Sequence, residues 1–206
     1  MTLDKNCWDY YQTATLGVFP YMIGTPVYRD GMLPFLYTKA REAGKIEMIF
    51  CGDDLGMDQF VDFFHKRKTL QVLGRIENDK TIMPVGFSWV DNPVGVDGAR
   101  AALCGFGFFD DAGKTSDARD LGMLGLAYWF NALRIDVIHG IMLEGNTAAK
   151  NFAEHLGFEE IGVVPKRHFY KGELVGARVT MIEKNDFQPV FEEWYEKQTF
   201  SVITPA

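Results

Sequence analysis

The sequence of 206 residues predicts an α+β fold, or α/β sandwich, built on a mixed sheet. The first indication is the order of its patterns, which runs from helices to antiparallel strands and then alternates strand, helix, strand, helix and strands. The second is the stretch from Leu121 to Leu133, which is apolar on nearly every side and predicts a buried helix. The third is the composition, because 47% hydrophobic and 24% charged residues are ordinary values for a globular protein.

The first half of the chain contains two helical patterns followed by three strand patterns. Helices are predicted over Gly31 to Ala43 and over Met57 to Lys66, in an otherwise aromatic and irregular first third. The residues Leu70 to Ile76 and Ile82 to Val90 predict two strands, which a polar turn cluster joins into a hairpin. A third strand is predicted from Ala101 to Phe109, where small and aromatic residues are dense.

The second half begins with the buried helix and continues with a strand from Val137 to Leu143. Asn146 is of the type that caps a helix start, and Gly157 is of the type that follows a helix end, so the two delimit the next helix. A last hairpin is predicted around the turn residues 171–173. The tail after Asn185 contains Trp194 and is expected to pack on the body of the protein.

Composition excludes several classes of function. The chain has 21 basic and 28 acidic residues, and a net charge of −7 argues against a protein that binds nucleic acid by neutralising phosphates. Its 3 cysteines and 4 histidines are scattered, so neither a disulfide framework nor a metal site is predicted. No signal peptide opens the chain and no apolar run reaches the roughly 20 residues of a membrane helix, so a cytoplasmic protein without membrane association is expected.

Two motifs in the second half indicate a family. Arg119-x-x-Gly122 precedes the most apolar part of the buried helix, and a helix start with free N–H groups and an arginine is suited to phosphates. The helix from Asn146 to Leu156-Gly157-Phe158 follows a strand and precedes a hairpin. In this order the motifs resemble the GCN5-related N-acetyltransferases (GNAT), nearest to the ribosomal-protein and small-molecule branch. The resemblance covers about Leu70 to Phe187.

The resemblance implies a mostly antiparallel sheet in which a central strand pair is splayed between flanking helices. The strand carrying residues 106–109 would diverge from the strand carrying residues 137–143, and the pantetheine arm of acetyl-CoA would lie between them. The CoA pyrophosphate would lie on the N–H groups of Leu121 to Gly125. The residues expected to contact CoA are Phe108, Phe109, Arg119, Leu121, Gly122, Met123, Leu124, Gly125, Asn146 and Phe152.

The sequence departs from the family at two positions. Leu124 stands where the pyrophosphate motif has glycine or alanine. Ala153 stands where many members have a tyrosine that protonates the leaving thiolate, and Tyr170 and His168 are the candidate substitutes. The general base is also open. Glu144 is the candidate on the strand before Asn146, and the other candidates by proximity are His139, Asp110 and Asp111.

The function expected from the resemblance is transfer of an acetyl group from acetyl-CoA to a primary amine, on a small molecule or a peptide N-terminus. Ala153 keeps open an alternative, a catalytically impaired acyl-CoA-binding protein with a regulatory or structural role. A transferase that uses aminoacyl-tRNA is a third candidate, which the acidic charge disfavours. Residues 1–206 are expected to form one domain, with a helical, substrate-facing part at 1–69, a core at 70–187 and a tail at 188–206.

Two further features of the sequence have more than one interpretation. The segment from Gly107 to Lys114-Thr115 resembles a phosphate-binding P-loop, but five residues separate its glycine from Gly-Lys-Thr where the motif has four. Aromatic residues are frequent in and near the first third, and they either wall an acceptor site or complete a core, and a homodimer is compatible with them. They are Tyr10, Tyr11, Phe19, Tyr21, Tyr28, Phe35, Tyr37 and Trp89.

Overall fold

The computed structural model describes residues 3–4, 16–18, 21–24, 31–78, 81–109 and 116–197. In these residues the helices are α1 (Met32–Glu42), α2 (Ile46–Ile49), α3 (Met57–Arg67), α4 (Ser116–Asn131), α5 (Thr147–His155) and α6 (Lys184–Glu196). The strands are β1 (Leu3–Asp4), β2 (Leu16–Val18), β3 (Tyr21–Gly24), β4 (Lys68–Asn78), β5 (Thr81–Asp91), β6 (Ala101–Phe108), β7 (Val137–Leu143), β8 (Glu159–Tyr170) and β9 (Glu173–Glu183). Residues 110–115 of the segment that resembles a P-loop, and the aromatic residues 10, 11, 19 and 28, lie outside this part of the chain.

The described strands form a single mixed sheet in the order β2-β3-β4-β5-β6-β7-β9-β8. In addition, β1 pairs with Thr81 and Ile82 at the start of β5. Among these strands, β6 and β7 are the pair that runs parallel, and the other pairs are antiparallel. The predicted α+β class with a mixed, mostly antiparallel sheet is therefore confirmed. The sequence predicts a helical first third. The structure adds two strands there, because β2 and β3 extend the sheet along the edge of β4.

Helices cover both faces of the sheet, because alternate residues of each strand point to opposite faces. On β4, Leu70 and Val72 face the core under α1, α2 and α3, whereas Leu73 faces the core under α4, α5 and α6. The two cores meet the sheet from opposite sides. Any ligand that passes through the sheet therefore contacts both of them.

Helix α4 has the all-round burial that its sequence predicts. Leu121, Met123, Leu126 and Trp129 have no exposed surface, and Phe130 has almost none. The helix begins at Ser116, five residues before the predicted start, because its first turn is polar and lacks the apolar pattern.

Helix α5 is delimited by the two residues that the sequence indicated. The side-chain oxygen of Asn146 accepts a hydrogen bond from the N–H of Ala149 at 3.1 Å, which satisfies a donor of the first turn. Gly157 follows the C-cap with φ of +92°, a backbone conformation that glycine adopts without strain. Local capping signals therefore fix both ends of this helix.

The C-terminal tail forms α6 and packs on the body, as predicted. Trp194 is buried, and its indole N–H donates to the Asp120 carboxylate at 2.6 Å. Because Asp120 lies on α4, this bond joins the tail to the buried helix. The helical form of the tail was not predicted.

Candidate active site

The parallel strands β6 and β7 separate in the middle of the sheet. They are paired from Ala101 with Val137 to Cys104 with Gly140, and pairing stops there although both strands continue. The predicted splay is thus present. It leaves the second halves of both strands with unpaired edges that face each other.

The backbone groups on the β6 side of the splay belong to alternate residues. The N–H of Phe109 donates to the Val85 carbonyl at 2.8 Å, so this residue pairs with β5. Because neighbouring residues of a strand point their backbone groups to opposite sides, Phe106 and Phe108 present theirs to the splay. On the β7 side of the splay, the same alternation directs the backbone groups of Ile141 towards the opening.

Helix α2 lies across the splay and makes one side-chain hydrogen bond to each open strand. The ammonium group of Lys45, just before the helix, donates to the Phe108 carbonyl of β6 at 3.2 Å. The thiol of Cys51, just after the helix, donates to the Ile141 carbonyl of β7 at 3.5 Å. The sequence does not predict this short helix, because four residues carry no periodic pattern.

A cavity of about 640 Å³ lies at the splay and touches both sides of the sheet. On the α5 side its wall includes Asn146, Phe152 and Ala153, and on the α2 side it includes Ile49 and Phe50. This volume is in the usual range for a small-molecule or cofactor site. The aromatic rings of Phe106 and Phe108 pack against Phe152, at centroid distances of 5.1 and 5.4 Å.

A glycine in β6 makes room for the aromatic wall of the cavity. A Cβ atom on Gly105 would lie 2.1 Å from the Trp89 ring, so the ring lies directly on the backbone. Trp89 is only 6% exposed and stacks with Phe50 at 5.5 Å. This tryptophan therefore completes a core and also lines the cavity.

Three of the residues expected to contact CoA lie at the cavity, namely Phe108, Asn146 and Phe152. Phe109 does not, because it is buried in the core under α1 and α3 and its ring lies 5.8 Å from Phe87. Phe106 lines the cavity and was missed, although it alternates with Phe108 in the same strand. The two-residue alternation of side chains along β6 was the sequence signal that could have identified Phe106.

The expected role of the residues Leu121, Gly122, Met123, Leu124 and Gly125 needs a correction. Helix α4 begins at Ser116, and only the first four N–H groups of a helix lack a partner within it. The N–H groups of Leu121 to Gly125 lie deeper, and the side chains are buried in the core. The free N–H groups belong to the first turn, which contains the exposed Arg119.

The candidate catalytic side chains differ in their relation to the cavity. His168 is half-buried and lines it. Tyr170 is half-buried outside the lining, with the ammonium group of Lys171 5.2 Å from its ring centroid, and Glu144 is exposed just after β7. His139 does not line the cavity, and Asp110 and Asp111 are outside the described residues.

Two cysteines line the cavity as neutral thiols. Burial, with a smaller contribution from Asp53, raises the pKa of the Cys51 thiol to about 11. Burial also raises the pKa of the Cys104 thiol, far above its usual range. Because a thiolate is the nucleophilic form, neither cysteine is suited to accept an acyl group at neutral pH.

No protein-family model matches the chain, and no curated protein matches its sequence. Its fold does match solved structures. Spermidine N-acetyltransferase from Vibrio cholerae, solved with CoA and spermine, has a TM-score of 0.67 at 16% identity, over 82% of this chain and 98% of that one. A GCN5-related N-acetyltransferase from Brucella melitensis has a TM-score of 0.70 at 10% identity, over 92% and 87%. The chain has the GNAT fold.

A third match also concerns an acetyltransferase structure. Ribosomal-protein-S5-alanine acetyltransferase from Vibrio fischeri has a TM-score of 0.66 at 13% identity, over 86% of this chain and 100% of that one. At these identities the likeness concerns the GNAT fold. In residues 31–78, 81–109 and 116–197, no helix is long and apolar enough to cross a membrane, and no group of three metal-ligating side chains was found.

Proposed function

We propose that this protein is an acyltransferase that moves an acetyl group from acetyl-CoA to a primary amine. The observation that carries the proposal is the splay of β6 and β7, with unpaired strand edges facing a cavity of about 640 Å³. An extended arm with amide groups can pair with such edges. Matches to acetyltransferase structures, one of them solved with CoA, support the same conclusion.

The chain offers a binding group for each part of CoA. The backbone groups of Phe106 and Phe108 would pair with the pantetheine amides, and the Asn146 amide N–H₂ would donate to the arm while its oxygen caps α5. The first turn of α4, with Arg119, would take the pyrophosphate, because a helix start combines free N–H donors with a positive dipole end. Bound acetyl-CoA supplies the activated acyl carbon.

Side chains at or near the cavity would accept and donate the protons that the reaction transfers. As the amine nitrogen bonds to the acyl carbon and the carbon–sulfur bond breaks, one amine proton must leave. His168, which lines the cavity, would accept it directly or through a water molecule. A thiolate with a pKa near 8.5 can leave without an acid, and Tyr170 remains the candidate if one is used.

The second candidate function is binding of acyl-CoA without turnover. The observation that favours it is Ala153, which lines the cavity at the position where many GNAT proteins have their tyrosine acid. General acid catalysis is typically worth about 10²- to 10⁴-fold, so the loss of the hydroxyl group is large enough to abolish useful activity.

Calorimetry with acetyl-CoA, followed by a free-thiol assay with a panel of amines, tests both candidates. Binding together with thiol release in the presence of an amine is the expected result. Binding without release for any amine favours the second candidate. If acetyl-CoA does not bind, both candidates are wrong, and the splay serves another purpose.

A further inference from the structure

The part of the cavity under α2 and α3 is almost entirely apolar. Its wall consists of Met48, Ile49, Phe50, Leu55, Phe63 and Trp89. The rings of Phe50, Phe63 and Trp89 form a continuous aromatic surface, with distances of 5.1 to 5.7 Å between ring centroids. A ligand that fills this part would bury an apolar or aromatic body.

One guanidinium group borders this apolar space. Between Val164, which pairs with Ala177, and His168, which pairs with Val175, three residues of β8 oppose one residue of β9. Lys166 within this bulge has φ of +51°, an uncommon conformation for a residue with a side chain. Bulges of this kind redirect side chains, and Arg167 lines the cavity.

Arg167 has no carboxylate partner among the described residues, whereas two other arginines of the sheet strands do. Arg178 pairs with Glu160, and Arg75 pairs with Asp117 at 3.1 Å. No ion pair or hydrogen bond to the Arg167 side chain occurs among the described residues. The group is therefore available to a ligand carboxylate, for which its planar donors are well suited.

The residues just after α2 contact β8 next to the cavity. A Cβ atom on Gly52, which has φ of +102°, would lie 2.5 Å from the Phe169 carbonyl oxygen, so the two backbones are in direct contact. A cavity of about 640 Å³ is suited to a small acceptor. The charged lining side chains are Lys45 and Arg167 against Asp53, a balance that disfavours a polyamine.

We infer that the acceptor is an apolar α-amino acid, held by its side chain on the aromatic wall and by its carboxylate on Arg167. The inference rests on the proposed function and specifies its substrate. The α-amino nitrogen would form the amide bond with the acetyl carbon, CoA would leave as the thiolate, and the amine proton would pass to His168. The product is the N-acetyl amino acid.

Matched acceptors test the inference. Phenylalanine and 2-phenylethylamine share the amine and the ring and differ in the carboxylate, whereas glycine keeps the carboxylate and lacks the ring. We expect kcat/KM for phenylalanine to exceed that for 2-phenylethylamine and for spermidine by about 10- to 100-fold, the usual worth of a charged hydrogen bond. It should exceed that for glycine by a similar factor, because glycine has no ring to bury on the aromatic wall. Equal values for phenylalanine and 2-phenylethylamine would overturn the inference.

A pair of variants locates the effect. Arg167→Met should reduce the preference for phenylalanine over 2-phenylethylamine to within about threefold, since only the carboxylate contact is lost. Lys171→Met removes another cation from the same hairpin, outside the cavity lining, and should keep the preference. If Arg167→Met also keeps it, the carboxylate does not bind at Arg167 and the inference is wrong.

Binding measurements keep the inference separate from the proposed function. Calorimetry of phenylalanine and 2-phenylethylamine against the protein saturated with CoA needs no turnover. The amino acid should bind about tenfold or more tightly in the unmodified protein and lose that advantage in Arg167→Met. Failure of acetyl-CoA to bind contradicts the proposed function, whereas CoA binding without a carboxylate preference contradicts only the choice of acceptor.

Discussion

On the α4–α5 face of the sheet, the splay is bordered by two regular helices, and capping residues set both ends of α5. On the α1–α3 face, it is bordered by a short helix, a loop and a cluster of aromatic rings that rest on strand glycines. The first face carries the sequence motifs, whereas the second carries side chains that match no motif. Under the proposed function, CoA binding would therefore depend on backbone features of the fold, and acceptor choice would depend on individual side chains.

The largest expected effect on activity is at Ala153, on the α5 wall of the cavity. Ala153→Tyr places a phenol where the leaving thiolate departs, so kcat should rise by up to about 10²-fold if proton donation limits the rate. Steady-state thiol release measures it. Ala153→Phe fills the same space without a hydroxyl group and should not raise kcat, and a rise in both variants would mean that packing, not acid catalysis, is responsible.

How well each face could be predicted follows from how local its signals are. Asn146 and Gly157 act on their own helix, so the ends of α5 were read correctly from the sequence. The hydrogen bonds from Lys45 to Phe108 and from Cys51 to Ile141 join residues that are 63 and 90 positions apart, so no local sequence pattern predicts them. The start of α4 was misplaced because the polar residues of its first turn lack the apolar periodicity that indicates a helix.

The glycines of the two faces should respond to alanine with opposite sign. In Gly105→Ala, the new Cβ atom would meet the buried Trp89 ring at 2.1 Å, and overpacking of this kind costs about 1–3 kcal/mol of unfolding free energy. Gly125 lies within α4, and the atom nearest to its new Cβ in Gly125→Ala would be the Gln71 Oε1 at 3.4 Å, so alanine should stabilise the helix by about 0.5–1 kcal/mol.

Urea unfolding of the two variants measures both free energies on one scale. Because each variant adds one methyl group, the chemical change is the same and only the surroundings differ. Loss of stability in both would mean that the α4 core is packed as tightly as the Trp89 wall. A gain in both would mean that the ring moves aside easily.

A smaller effect is expected at Asn146, where capping and CoA binding can be separated. Asn146→Asp keeps a side-chain oxygen for the Ala149 N–H but removes the amide donor proposed to reach pantetheine. The affinity for CoA should fall about tenfold, the worth of one hydrogen bond, with little change in the urea midpoint. Asn146→Ala should lower both. Unchanged affinity in the aspartate variant would place the amide outside the CoA site.

The smallest effect is expected from charge on the α1–α3 face. Arg41 pairs with Asp54 across the loop before α3, but both side chains are about half exposed, at 51% and 49%. Solvent and salt screen such a pair, so Arg41→Gln should leave the urea midpoint unchanged within error at low and at high salt. A clear drop that salt abolishes would show that ion pairs help to hold the loop over the cavity. Without such a drop, the burial of Phe50, Phe60 and Phe64 accounts for the position of the loop, and the aromatic wall of the cavity is packed like the core to which it belongs.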